Sequence, residues 1–190
     1  MRKIVYLIVL ATLFASCGED QEVDENQDEV TVESLKSAIK EMDDSLAVLL
    51  ERVIEEDDFK IERIVYHEAV SRNLEFYKTF PDHEFAPYAL EKVTSMYLAL
   101  KIDEKAANWR DTLIINYPDF ERILDILELQ KVHYDNFDVY EPEKIKKYSK
   151  MMLDNEKLSD EKREELEFRL EHIDKDFMEL IKLQNPDLEF

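Results

Sequence analysis

The sequence predicts an all-helical protein, and three observations support this class. Only one glycine occurs among the 190 residues, and it is Gly18. Charged residues make up 37% of the chain, with Glu and Lys abundant, and Leu is frequent among the apolar residues. Glu, Lys and Leu all favour helices. Apolar side chains also follow one another at spacings of three and four residues, which is the period of a helix that buries one face.

The near absence of glycine also argues against several classes of enzyme. Residues 19–190 contain no glycine. Phosphate-binding loops, dinucleotide-binding turns and nucleophile elbows all need backbone positions that glycine occupies with least steric cost. The sequence therefore disfavours P-loop NTPases, Rossmann enzymes and α/β-hydrolases.

The charge of the chain restricts the kind of partner it can bind. Acidic residues number 46 against 25 basic ones, which gives a formal net charge of −21. Nucleic acid and anionic lipid head groups carry the same sign, so the sequence predicts no nucleic-acid partner. A cationic partner or ion is compatible with this charge, but the charge can equally serve only to keep a helical surface soluble.

The first 16 residues have the composition of a signal peptide. Arg2 and Lys3 form a charged start, and the largely apolar run Ile4–Phe14 follows. This run is well short of the roughly 20 residues that span a bilayer as a helix. Cys17, the only cysteine, comes next, so the chain contains no intrachain disulfide.

The segment Leu13-Phe-Ala-Ser-Cys17 resembles a lipobox, the signal of bacterial lipoproteins. In that family a diacylglyceryl group is attached to the cysteine sulfur, signal peptidase II cleaves just before the cysteine, and the new amino group is usually acylated. The resemblance implies that Cys17 is the lipidation site and anchors the mature chain to a membrane. The alternative is an ordinary secretory signal followed by an incidental cysteine.

Residues 18–29 have a different composition, with seven acidic side chains and no basic one. Such a stretch repels itself and cannot bury a core, so we expect residues 17–30 to form an extended tether. It is similar to the acidic sorting signal that follows the lipidated cysteine in surface lipoproteins of some Gram-negative groups. This implies a location in the outer membrane, either in its inner leaflet or in the leaflet that faces the cell surface. A plain spacer is the alternative.

Residues 31–190 are predicted to form one helical domain. The first helix carries a narrow apolar stripe made of Leu35, Ile39, Met42, Leu46, Leu49 and Val53. The predicted helices cover about residues 31–53, 61–79, 82–100, 103–116 and 119–136, with further segments at 142–154 and 159–184. The residues expected to cap helix N-termini are Asp82, Asp103, Asp119 and Ser159.

An internal repeat of 37 residues relates two Pro-Asp pairs, Pro81-Asp82 and Pro118-Asp119. It aligns Ala69 with Ala106, Phe80 with Tyr117, Leu90 with Leu127, and Tyr97 with Tyr134. The pattern resembles the tetratricopeptide-like repeats of bacterial outer-membrane lipoproteins. It implies antiparallel helix pairs with terminal capping helices and a groove for a protein or peptide. A plain helical bundle with two similar turns is the alternative.

The last predicted helix carries a second stripe, formed by Leu166, Leu170, Ile173, Phe177, Leu180 and Gln184. Two roles are open for it. The helix can cap the end of the repeat stack, or it can pair with its copy in a second chain. We expect capping, and therefore a monomer.

No catalytic, metal-binding or cofactor-binding residue is predicted. His67-Glu68 and His83-Glu84 begin like a zinc-protease motif, but neither has a second histidine four residues after the first. His133 and His172 are isolated, and Trp109 is expected in the core. The sequence thus favours a non-enzymatic, lipid-anchored module that binds a protein or peptide. The alternative is a surface lipoprotein that binds or processes a nutrient such as a glycan beside an outer-membrane transporter.

Overall fold

The computed structural model describes residues 30–56, 62–136 and 138–184. Within these ranges it contains eight α-helices and no strand, which confirms the all-helical class. The described residues from Thr31 onward belong to one compact unit. The helices are α1 (Val32–Glu56), α2 (Arg63–Thr79), α3 (Ala86–Ala99), α4 (Asp103–Asn116), α5 (Ile123–Asp135), α6 (Pro142–Leu153), α7 (Asp160–Glu171) and α8 (Phe177–Gln184).

Each of the helices α1 to α7 packs mainly against its neighbours in sequence. The apolar stripe predicted for α1 faces this packing, since Leu35, Ile39 and Met42 are buried, and Leu46 and Leu49 are half-buried. The side chain of Val53, the last predicted member of the stripe, lies outside the described ones. The stripe therefore covers the start of the helical stack.

The 37-residue repeat in the sequence is also a repeat in burial. Both alanines of the predicted pair are completely buried. Together with the alanines, seven pairs of buried apolar residues in α2–α3 and α4–α5 are related by this offset, and each of these residues is at most 7% exposed. These pairs are Ala69 and Ala106, Val70 and Ala107, Phe76 and Leu113, Ala86 and Ile123, Ala89 and Ile126, Leu90 and Leu127, and Tyr97 and Tyr134.

The two joints of the repeat have the same backbone hydrogen bonds. At the first, the His83 and Ala86 N–H groups donate to the carbonyls of Phe80 and His83. At the second, the Phe120 and Ile123 N–H groups donate to the carbonyls of Tyr117 and Phe120. Each joint is thus a pair of consecutive turns that ends where the next helix begins.

The prediction that Asp82 and Asp119 cap helices is wrong, because α3 begins only at Ala86 and α5 only at Ile123. In both joints the second of the two turns lies between the aspartate and the first residue of the helix. In the first joint, aromatic packing favours the turn, since the buried Phe76 ring contacts the rings of Phe80, His83 and Phe85 at centroid distances of 5.0–5.7 Å.

The other two predicted caps have different outcomes. Asp103 is the first residue of α4, and Ile102 occupies the N-cap position. Ser159 is confirmed as the N-cap of α7, where its Oγ accepts a hydrogen bond from the Lys162 N–H at 3.3 Å.

The prediction of one helix over 159–184 is also wrong. Helix α7 ends at Glu171, and α8 begins after the segment 172–176. A capping box starts α8, since the Glu179 N–H donates to Asp176 Oδ1 at 2.9 Å and the Asp176 N–H donates to Glu179 Oε2 at 3.0 Å. This local signal overrides the continuous apolar stripe.

The residues of that second stripe therefore belong to separate elements. Leu166 and Leu180 are buried, and Leu170 and Ile173 are half-buried. Leu166 joins the main core of the stack, against which Ile173 packs. The side chains of Phe177 and Gln184 lie outside the described ones.

Candidate binding groove

A groove of about 540 Å³ opens between α5, α7 and α8. This volume lies within the roughly 300–1,000 Å³ that is usual for ligand pockets in proteins. We call it the α5–α7–α8 groove. The residues that line it are Glu128, Lys131, Val132, Asp135, Asn136, Glu165, Phe168, Arg169, Leu180 and Ile181.

Apolar side chains from all three helices contribute to the lining. Val132 of α5 is 51% exposed, and Phe168 of α7 is half-buried with its ring 4.4 Å from the His172 ring. From α8, Leu180 is buried and Ile181 is half-buried. The groove therefore presents apolar surface that water reaches, and covering such surface is favourable.

A largely buried ion pair in the lining of the groove, Arg169 and Asp135, joins α7 to α5. The Arg169 Nε and Nη2 atoms donate to both carboxylate oxygens of Asp135 at 2.7–3.1 Å, and Nη1 donates to the His172 carbonyl at 2.7 Å. Burial opposes the charged form of Arg169, but the hydrogen bonds that it donates to Asp135 and Tyr140 outweigh this effect and raise the pKa of the guanidinium. All three nitrogens of the Arg169 guanidinium thus donate to groups of the protein itself.

A second group of charges lies beside it. Glu128 Oε1 accepts from Lys162 Nζ at 3.1 Å and lies 3.2 Å from Lys131 Nζ, while Lys162 also binds Glu165 at 2.9 Å. Burial lowers the pKa of Lys162, but the hydrogen bonds to Glu165 and Glu128 raise it more, so this lysine stays charged. Glu128 Oε2 is buried, and no donor among the described residues reaches it.

The charges of α7 are sorted by side. Its three basic residues, Lys162, Arg163 and Arg169, are half-buried or buried. The six acidic residues of the same helix are all exposed, and they are Asp160, Glu161, Glu164, Glu165, Glu167 and Glu171. The helix that forms one wall of the groove is thus negatively charged toward solvent.

The histidines discussed from sequence occupy unconnected positions. His83 Nδ1 accepts from the Phe85 N–H at 3.0 Å within the first joint, and His172 Nδ1 lies 3.0 Å from the Phe168 carbonyl. His67 is exposed on α2, and the ring of His133 lies against Tyr134. The described residues contain no group of three or more His, Cys, Asp or Glu side chains placed to hold a metal ion.

The sequence also led to predictions for Trp109 and Cys17. Trp109 is half-buried and packs edge-on against Tyr77 at the contact of two repeats, with ring centroids 6.2 Å apart. Cys17, the predicted lipidation site, lies outside the described residues. In the part of the chain that is described, no helix combines the length and apolar character needed to cross a bilayer.

Comparisons with protein-family models, curated proteins and solved structures find no match to this chain. The α5–α7–α8 groove therefore has to be interpreted from its own geometry and charges.

Proposed function

We propose that the protein is a non-enzymatic helical-repeat module of the tetratricopeptide-like type, which binds a protein or peptide partner in the cell envelope. Lipid on Cys17 would anchor it to the outer membrane. The observation that carries the binding role is the α5–α7–α8 groove, which places accessible apolar side chains beside a helix, α7, whose acidic residues are exposed. Helical segments of partner proteins bind in grooves of this kind.

Two features support the repeat interpretation. Buried positions in α2 and α3 recur 37 residues later in α4 and α5, and each helix up to α7 packs mainly on its neighbours in sequence. Repeat proteins pack in this way, because each repeat buries its apolar face on the next one. Small residues such as Ala69 and Ala106 let the helices approach closely.

The groove favours a peptide over a glycan. Phe168 is the one aromatic side chain among the described residues that line it. Its carboxylates are largely paired with cations, since Asp135 binds Arg169, and Glu128 and Glu165 bind Lys162. A sugar-binding groove would present several exposed aromatic faces, and a glycoside hydrolase would need two carboxylates free to exchange protons.

A photocrosslinking experiment tests this proposal in cells of the source organism. A photoreactive amino acid replaces Val132 in the groove or, as the matched control, Ile64, which is 86% exposed on α2. We expect discrete crosslinks to one or a few envelope proteins from position 132 and not from position 64. Equal crosslinking from both positions, or none from position 132, would show that the groove is not a protein-binding site.

A further inference from the structure

We infer that the occupant of the α5–α7–α8 groove is an amphipathic helix with basic residues beside its apolar face. This inference rests on the proposed function and specifies the chemistry of the partner. Two observations lead to it: the apolar lining and the sorting of charge on α7.

The apolar lining fits side chains projected from one face of a helix. Val132, Phe168 and Ile181 contribute surface from three different helices, so an occupant contacts all three at once. Further exposed apolar residues lie on two of these helices, namely Leu129 on α5 and Met178 and Leu183 on α8. A row of apolar anchors at positions i, i+3, i+4 and i+7 matches such a surface.

The charges around the groove select for a basic occupant. All six acidic residues of α7 are exposed, whereas its three basic residues turn inward and are bonded there. One of these exposed acidic residues, Glu165, lines the groove itself. A lysine or arginine of the occupant next to Glu165 would form a charge-assisted hydrogen bond with this carboxylate.

The same charges disfavour two other occupants. A second copy of this chain brings a net charge of −21 and the same acidic α7, so the two would repel. An anionic membrane surface is repelled for the same reason. A basic helix is attracted, and its association becomes faster as well as tighter at low salt.

The test uses three fluorescently labelled peptides of about 18 residues, or five helical turns. The basic probe has leucines at i, i+3, i+4 and i+7 and lysines beside them. The acidic probe has glutamates in place of the lysines, and the scrambled probe has the basic composition without the apolar face. Binding to the purified full chain in nonionic detergent is followed by fluorescence anisotropy, with detergent alone as the blank.

We expect the basic probe to bind saturably. Its binding should weaken as the salt concentration rises, because salt screens the exposed acidic residues of α7. The acidic and scrambled probes should bind at least about tenfold more weakly. Val132→Asn and Glu165→Lys should each weaken binding of the basic probe about fivefold or more. Their matched controls, Ile64→Asn and Glu104→Lys, change exposed residues on α2 and α4 and should stay within about twofold of the parent chain.

Several results would overturn the inference. Equal binding of the basic and acidic probes would show that the groove does not select for basic residues. Equal binding of the basic and scrambled probes would show that it does not require an amphipathic helix. No binding of any probe would contradict the inference as well. So would a concentration-dependent self-association that Val132→Asn abolishes, because the occupant would then be a second copy. Crosslinking at position 132 in cells decides the proposed function separately, whatever the probes do.

Discussion

Two completely buried alanines, Ala69 and Ala106, lie at equivalent places in the two copies of the repeat. Ala106 packs in a cluster with Val93 and Tyr97 of the preceding helix. A larger side chain has no room at such a position, since protein interiors are close-packed. For single residues, the repeat therefore means that the same position of each copy needs a small side chain.

Ala106→Trp therefore tests the repeat directly. We expect it to lower the free energy of unfolding by about 1–3 kcal/mol or more, because the indole overpacks the core. Urea unfolding followed by far-UV circular dichroism measures the change. Asn108→Trp is the control, as Asn108 is exposed on the same helix and should tolerate the indole. If the two variants are equally stable, Ala106 is not a tightly packed site.

A second residue, Lys101, shows the cost of a domain without glycine. It has φ 58° in the turn after α3, a left-handed conformation that favours glycine. The surrounding hydrogen bonds form a Schellman motif, with the Ile102 N–H donating to the Tyr97 carbonyl and the Lys101 N–H donating to the Leu98 carbonyl. Lys101 thus occupies the position where most helices ending this way have glycine.

Lys101→Gly should consequently stabilise the protein. Relief of the left-handed strain is worth about 1–2 kcal/mol, and the greater freedom of glycine in the unfolded chain offsets about 0.5–1 kcal/mol of it. We expect a net gain of about 0.5–1 kcal/mol, measured by thermal and urea unfolding. Lys101→Ala removes the same side chain but keeps Cβ, so it should give no gain. A glycine variant no more stable than the alanine variant would show that the strain is absent.

At the scale of the elements, α7 is fastened to α5 by the bidentate pair of Arg169 and Asp135. The two side chains are 7% and 20% exposed, so the pair is largely shielded from water. The pair Lys40–Asp44 on α1 has a similar distance between its charges but is 74% and 66% exposed. Shielding makes the loss of one partner costly only in the first pair.

Asp135→Ala should lower the free energy of unfolding by about 3 kcal/mol, because it leaves the buried Arg169 charge without its partner. Asp44→Ala should cost at most about 0.5 kcal/mol in the same assay. The substitution of Asp135 should also weaken binding of the basic probe, since α7 forms a wall of the groove. A stability loss equal in the two variants would contradict a structural role for the buried pair.

The helices themselves could largely be predicted from sequence, because their signals are local. The three- and four-residue spacing of Leu35, Ile39 and Met42 identifies the buried face of α1, and Ser159 caps α7 as expected. The starts of α3 and α5 could not, since the joint after Pro81 is held by the packing of the Phe76 ring. Proline-aspartate reads locally as a helix start.

The α5–α7–α8 groove could not be predicted, because it depends on contacts between residues far apart in sequence. Its floor needs Asp135 and Arg169 to meet, and its third wall needs the chain to turn before α8. The capping box of Asp176 and Glu179 was a sequence signal for that turn. The continuous apolar stripe concealed it, since a stripe broken by a short turn keeps its spacing.

For the whole molecule, we propose a lipid anchor on Cys17 that is followed by an acidic tether and a helical binding domain. The anchor matters most, because the envelope location and the kind of partner both follow from it. A diacylated or triacylated cysteine holds a protein on a membrane stably, whereas one short acyl chain does not. The basic occupant of the groove would then be an envelope protein, and nucleic acid would play no part.

Metabolic labelling with radioactive palmitate is the most direct measurement of that anchor. We expect the parent chain to incorporate the label and to be cleaved before Cys17. Ser16→Ala, which keeps the cysteine and a small neighbour, should behave like the parent. Cys17→Ser should take up no label and accumulate as an unprocessed precursor or a form without lipid. If Cys17→Ser is still labelled and processed like the parent, the chain is not a lipoprotein anchored at this residue.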